Sequence, residues 1–201
     1  MPLFRRRPKE EPGAADRFAQ LDRLGFFAYV DPSERGAIET DARRRPSEAV
    51  FDERTHRFFH ADAESLAEGG VVELLRELEP TLRRLGVPAL ELDEELDPDA
   101  PDDYAVTVNG ERRVIYSEPE LAAAGSGRAW GLAAARTLRI VDDLLAAAGS
   151  NERAWAYQGG NDLGVWILTP ELRDAVAAIL DSARDEPYEM SEEHPWYGQR
   201  H

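Results

Sequence analysis

Apolar positions recur at helical spacing in three long stretches of this chain, and in short strand-like runs between them. Phe18, Leu21 and Leu24 share one face of a helix expected over residues 14–24, with Gly25 placed to end it. Val71, Leu75, Leu78, Leu82 and Leu85, with Leu74 beside them, form a second stripe; Pro80 should kink or split that helix, and Gly86 ends it. Trp130, Ala134, Thr137, Leu138, Val141 and Leu145 line a third helix over residues 129–148, closed by Gly149. A fourth helix is opened by Thr169 as N-cap and Pro170 in the first turn, with Leu172, Val176, Ile179 and Leu180 as its apolar face. Asp31-Pro32-Ser33-Glu34 reads as another helix start, with its helix ending before Pro46.

The strand signals are shorter. Residues 104–108 and 112–116 flank Asn109-Gly110, the strongest short-range hairpin signal. A two-residue turn places Val106 opposite Arg113. A one-residue bulge pairs Val106 with Val114 and Tyr104 with Tyr116, and the sequence leaves both registers open. Residues 154–157 and 165–168 are apolar strands expected in the centre of a sheet, and residues 26–30 are a buried strand or core linker. Val50, Phe51, Phe58 and Phe59 around Asp52-Glu53-Arg54-Thr55 predict a short hairpin over 49–60. The order from residue 104 onward is β-β-α-β-β-α. This predicts an α+β fold, an antiparallel sheet with helices packed on one face. Residues 14–183 are expected as a single domain, between a disordered tail over 1–13 and a C-terminal tail over 184–201.

Residues 91–103 carry eight acids, no base and two prolines, and read as an exposed acidic loop dividing the domain. The whole chain of 201 residues has 24 basic and 40 acidic side chains, a formal charge of −16. Such a field repels nucleic acid and anionic membrane and favours a cationic protein partner. With no cysteine, thiol catalysis, disulfides and cysteine-ligated metals are excluded. No apolar run approaches a membrane span and no secretory signal is evident, so the expected location is cytoplasmic.

The chain carries few residues arranged for chemistry. The only lysine is Lys9, so a phosphate-binding P-loop is absent. Gly125-Ser126-Gly127 is too short for a dinucleotide fingerprint or a nucleophile elbow. His56 and His60 read as strand residues, where positions four apart stand about 13 Å from each other, too far to share one ion. Asp142 and Asp143 diverge by about 100° on their helix and form no shared-proton dyad. No catalytic residue, metal ligand or cofactor is therefore expected.

The most distinctive segment runs from Tyr157 to Trp166 through Gln158-Gly159-Gly160-Asn161-Asp162-Leu163-Gly164. Its glycines permit a positive φ at Gly159 or Gly160. Its Asn and Asp either bond their own backbone or join Tyr157 and Trp166 in a contact surface. Gly159-Gly160-Asn161-Asp162-Leu163, followed by an apolar strand and Leu168-Thr169-Pro170-Glu171, resembles small bacterial immunity-type proteins of polymorphic toxin systems. Gly149-Ser150-Asn151-Glu152-Arg153 fits the same likeness, which covers residues 104–180. The resemblance implies an acidic cytoplasmic inhibitor that covers the active site of a cognate toxin. Candidate binding residues are Tyr157, Asn161, Asp162 and Trp166 in the loop, with Asp93, Glu94, Glu95, Asp97 and Asp99 as the anionic face. The alternatives are an acidic chaperone for a secreted protein, or a small enzyme with a pocket shared by both halves.

Overall fold

The computed structural model describes residues 13–97, 100–124, 128–180 and 182–192. Helix α1 (Ala14–Arg23) buries Phe18 and Leu21. It ends in a paired turn: Gly25 has φ +81, its N–H donates to Asp22 O at 3.0 Å, and the Phe26 N–H donates to Leu21 O at 2.9 Å. That bonding satisfies two terminal carbonyls and throws Phe26 and Phe27 into the core.

Asp31 accepts from the Ser33 backbone N–H at 2.8 Å and from its hydroxyl at 2.6 Å, which holds the Asp31 carboxyl below its usual pKa. This side-chain turn delays the helix start, and α2 spans Arg35–Arg44. Pro46 then opens α3 (Pro46–Ala49) in its first turn.

The hairpin expected over 49–60 does not form. Asp52 accepts from the Arg54 backbone N–H at 3.0 Å and curls Glu53–Thr55 into a 3-10 turn. Only β1 (Phe58–His60) becomes a strand, and it pairs with distant residues 164–166. A local two-strand pairing buries too little to compete with that partner, which is covered on both faces.

After a short helix α4 (Ala63–Ser65) and a π-helical turn, Leu66–Gly70, comes α5 (Val71–Arg84). It buries the expected leucine stripe and continues unsplit past Pro80, which sits on its exposed face. There the Arg76 carbonyl that proline leaves unpaired can meet water.

Strands β2 (Leu92–Asp97), β3 (Ala100–Val108) and β4 (Glu111–Tyr116) form one antiparallel sheet, in the order β2-β3-β4. The acidic segment expected as a loop is thus largely strand. Pro101 is accommodated at an irregularity: β2 pairs Leu96 with Tyr104 but Asp97 with Ala100, so Pro101 falls in the bulge. Pro98 lies outside the described residues.

The β3–β4 hairpin resolves both registers left open by the sequence. Asn109 and Gly110 have φ of +50 and +81, the two-residue turn the pair favours, and Val106 faces Arg113. A bulge further on shifts the register, and Tyr104 meets Tyr116 with ring centroids 5.5 Å apart.

Helices α6 (Glu118–Ala124) and α7 (Arg128–Ala147) follow. Next come β5 (Arg153–Tyr157), β6 (Gly164–Leu168) and α8 (Pro170–Ala177), the last capped by Thr169 accepting from the Leu172 N–H at 3.2 Å. The second sheet has the order β1-β6-β5 and is antiparallel. The α+β expectation holds, with helices also covering the far side of this second sheet. Phe59, Val165, Ile167, Ala154 and Ala156 meet α5, α7 and the first sheet. Phe58, Trp166 and Leu168 point the other way, into a core built from α1–α3 and α8.

A buried ion pair pins the second core to the sheet. Arg57 Nη1 donates to Glu152 Oε1 at 2.6 Å, with side chains 2% and 7% exposed. The guanidinium also donates to the carbonyls of Gly25, Phe26 and Ile167, and stacks on Tyr29 with 4.3 Å to the ring centroid. Charge buried so deeply is tolerable only with this many partners. The Tyr29 hydroxyl donates to the same Glu152 oxygen at 3.0 Å, and burial with the nearby carboxylate raises its pKa.

Candidate functional site

The three-stranded β2-β3-β4 sheet packs one face on the core and leaves the other open. Alternation along β2 decides which residues go where. Leu92 and Leu96 lean half-buried against the core side. Glu94 points the same way and accepts from the buried Tyr104 hydroxyl, which itself receives the Val71 N–H at 3.3 Å. Burial first, and then the Glu94 carboxylate, raise the Tyr104 pKa well above its ordinary value. Asp93 and Glu95 stand on the open face, across from Thr107 and Ala105.

Beside them on that face are Arg112 and Val114 of β4, the latter 43% exposed. Arg112 Nε donates to Glu95 at 2.9 Å, so Glu95 is partly neutralised. Asp93 has no ion-pair partner among the described residues. Glu94, Glu95, Leu96, Asp103 and Arg112 line a shallow cleft of 310 Å3 at the bulged end. Of the expected anionic face, Asp93, Glu94 and Glu95 are therefore gathered on one strand and all exposed, with Glu94 on the opposite face, bonded to Tyr104. Asp97 belongs to β2 by its backbone, and Asp99 lies outside the described residues.

The loop residues divide differently. Trp166 is fully buried, and its indole N–H donates to Val50 O at 3.1 Å, so it is a core residue and no contact residue. The physical reason is its strand: every position of β6 is covered, because helices lie on both sides of that sheet. Tyr157 is half-buried in the same aromatic group, with centroids 5.0 Å from Phe51 and 5.4 Å from Trp166. Asn161 and Asp162 are exposed on a 3-10 turn, Gly160–Asp162, where Gly160 has φ +61. Asn161 Nδ2 donates to Glu64 at 3.4 Å.

Comparison with family models, curated proteins and solved structures finds no match. The site must be read from its own geometry.

A second hollow, of 580 Å3, lies between α7, β5 and residues 189–192. Three of its four carboxylates, Asp142, Asp143 and Glu192, are engaged structurally. Asp142 accepts from the Ala154 N–H at 2.7 Å, and burial raises its pKa. Asp143 pairs with Arg113 at 2.8 Å. Glu192 pairs with Arg136 at 2.9 Å, and Arg136 also holds Glu120 at 2.7 Å, which lowers the Glu120 pKa.

Residues 189–192, expected within the C-terminal tail, form part of this wall. Tyr188 bridges the outer edge of β5, exchanging backbone bonds of 2.8 and 3.0 Å with Ala156, and its hydroxyl donates to Gln158 O. The one sequence signal for this was the aromatic residue itself, which a solvated tail has no use for.

His56 sits in a left-handed turn and His60 at the exposed end of β1. Among the described residues no three His, Cys, Asp or Glu side chains converge as metal ligands, and no helix is long and apolar enough to cross a membrane.

Proposed function

We propose that this protein is a non-enzymatic binding module, an acidic immunity-type inhibitor that covers the functional surface of a cationic partner protein in the cytoplasm. The observation that carries this reading is the open face of the β2-β3-β4 sheet, with Asp93 and Glu95 presented together beside the exposed Val114. Rigid strands hold these carboxylates in place, so little ordering is needed on binding. A chain of charge −16 steers a basic partner toward itself before contact, and a nuclease domain is basic because it holds phosphates. The exposed pair Asn161 and Asp162 supplies a further polar contact from the other sheet.

The test is direct. The chain is mixed with a basic toxin nuclease domain, sought first among the products of neighbouring genes, and complex formation, toxin activity and association rate are measured against salt. A stoichiometric complex that silences the toxin and forms more slowly at high salt supports the proposal. No complex, or an association rate unchanged by salt and by neutralising Asp93 and Glu95, overturns it.

A further inference from the structure

The hydrogen-bond phase of β2 identifies which of its backbone groups are free. The Asn109 N–H donates to Glu91 O at 2.8 Å, which makes that pair a hydrogen-bonded one across β2 and β3. Antiparallel pairs alternate, so Asp93 and Glu95 also bond to β3, opposite Thr107 and Ala105. Leu92, Glu94 and Leu96 then direct their N–H and C=O groups away from β3, along the sheet's outer edge. Among the described residues no strand lies on that side.

We infer that this edge receives an extended segment of the partner by strand addition, and that the segment carries Arg or Lys at every second position. The inference rests on the binding role proposed above and specifies how the contact is made. An added strand would bond to the outward groups of Leu92, Glu94 and Leu96. Its residues opposite Asp93 and Glu95 occupy non-hydrogen-bonded pairs, where side chains approach closest. Cationic side chains there complete charge pairs on the open face. The intervening residues fall on the other face, beside Leu92 and Leu96, which the fold leaves half-covered. Apolar or β-branched residues suit those positions.

Charge decides against a second copy of this chain as the occupant. Four of the six residues in Leu92-Asp93-Glu94-Glu95-Leu96-Asp97 are acidic. Pairing β2 with itself, parallel or antiparallel, sets carboxylate against carboxylate. The same feature keeps the edge from self-associating while it waits for a basic partner.

The probe is a nine-residue peptide alternating Arg and Val. One control has the same composition with its arginines in a single block, and another is N-methylated at every second amide. Binding to the full chain is read by fluorescence anisotropy, and amide hydrogen exchange is followed at residues 92–96. The alternating peptide should bind about tenfold more tightly than either control, the effect of losing a few backbone bonds and the matching register. The amides of Leu92, Glu94 and Leu96 should slow in exchange, while those of Asp93 and Glu95, already bonded to β3, change little. Equal binding of all three peptides with no slowing at those amides overturns strand addition and leaves the acidic surface standing. Binding of none of them at low salt, or binding indifferent to Asp93→Asn with Glu95→Gln, overturns the inference and the binding role together.

Discussion

The two sheets have three antiparallel strands each and differ in what lies on them. In the β1-β6-β5 sheet, β6 is covered at every position and reads Gly164-Val165-Trp166-Ile167-Leu168. In the β2-β3-β4 sheet, no described residue of β2 is fully buried, and the strand reads Leu92-Asp93-Glu94-Glu95-Leu96-Asp97. The first has helices on both sides, so a charge anywhere along β6 would be stranded. The second has water on one side, so its sequence is free to carry charge. Covering ties the first sheet to stability and leaves one face of the second free for the contact proposed above, and substitutions in the two should show the difference in stability.

The largest effect belongs to Trp166→Ala. It removes the centre of the aromatic group and leaves Val50 O without its donor, and should cost about 3–5 kcal/mol in urea unfolding. Val114→Ala on the open face should stay within about 0.5 kcal/mol of the parent. Similar losses at both positions would erase the distinction between the sheets. Next comes Gly160→Ala in the turn between β5 and β6. A Cβ there meets no heavy atom within 4 Å, so the cost is backbone strain at φ +61 alone, about 1–2 kcal/mol. A melting temperature equal to the parent's would show that the turn relaxes.

Asp142→Asn sharpens the comparison where the α7 helix meets β5. Burial raises the folded pKa of Asp142 above the ordinary aspartate value of 3.8, so the protonated form suits the fold. Its contribution is full below pH 3.8 and is lost as pH rises through the folded value. An asparagine keeps an oxygen for the Ala154 N–H and has no charge to bury. The variant should melt above the parent at pH 7, with the gap closing as pH falls toward 3.8. A gap that widens toward low pH would reverse the assigned sign. The smallest effect on stability is expected from Asp93→Asn with Glu95→Gln, within about 0.5 kcal/mol, since exposed charges contribute little to folding. A clear loss of stability would mean that the open face serves the fold.

Legibility followed the range of the interactions. Helices α1, α5, α7 and α8 were readable because their caps and stripes are local, as with Thr169 above Leu172. The Asn109-Gly110 turn was readable for the same reason. The partner of β1 and the strand status of β2 were not, because both depend on residues elsewhere: Phe58 pairs with Trp166, and Asp93 with Thr107. An acidic strand with two prolines nearby looks like a loop until its neighbour is known. Trp166 looked like a contact residue because no local pattern announces that helices from the two ends of the chain, α1 and α8, cover it on one side. For the candidate site, the acids of β2 were legible as a charged face, but their division between the open face, Asp93 and Glu95, and the face shared with Tyr104, Glu94, required the register.

The order in which the β1-β6-β5 sheet is assembled has a consequence for biosynthesis. Its middle strand is the last of the three to leave the ribosome, and 103 residues lie between His60 and Gly164. At about 5–20 residues per second, β1 and the surrounding Phe26, Phe27 and Phe58 must wait roughly 5–20 s for the strand that covers them. During that interval the N-terminal helices have no sheet to close on. A chain interrupted anywhere before β6 would be left with an open aromatic surface, and is expected to aggregate or be degraded instead of folding in part.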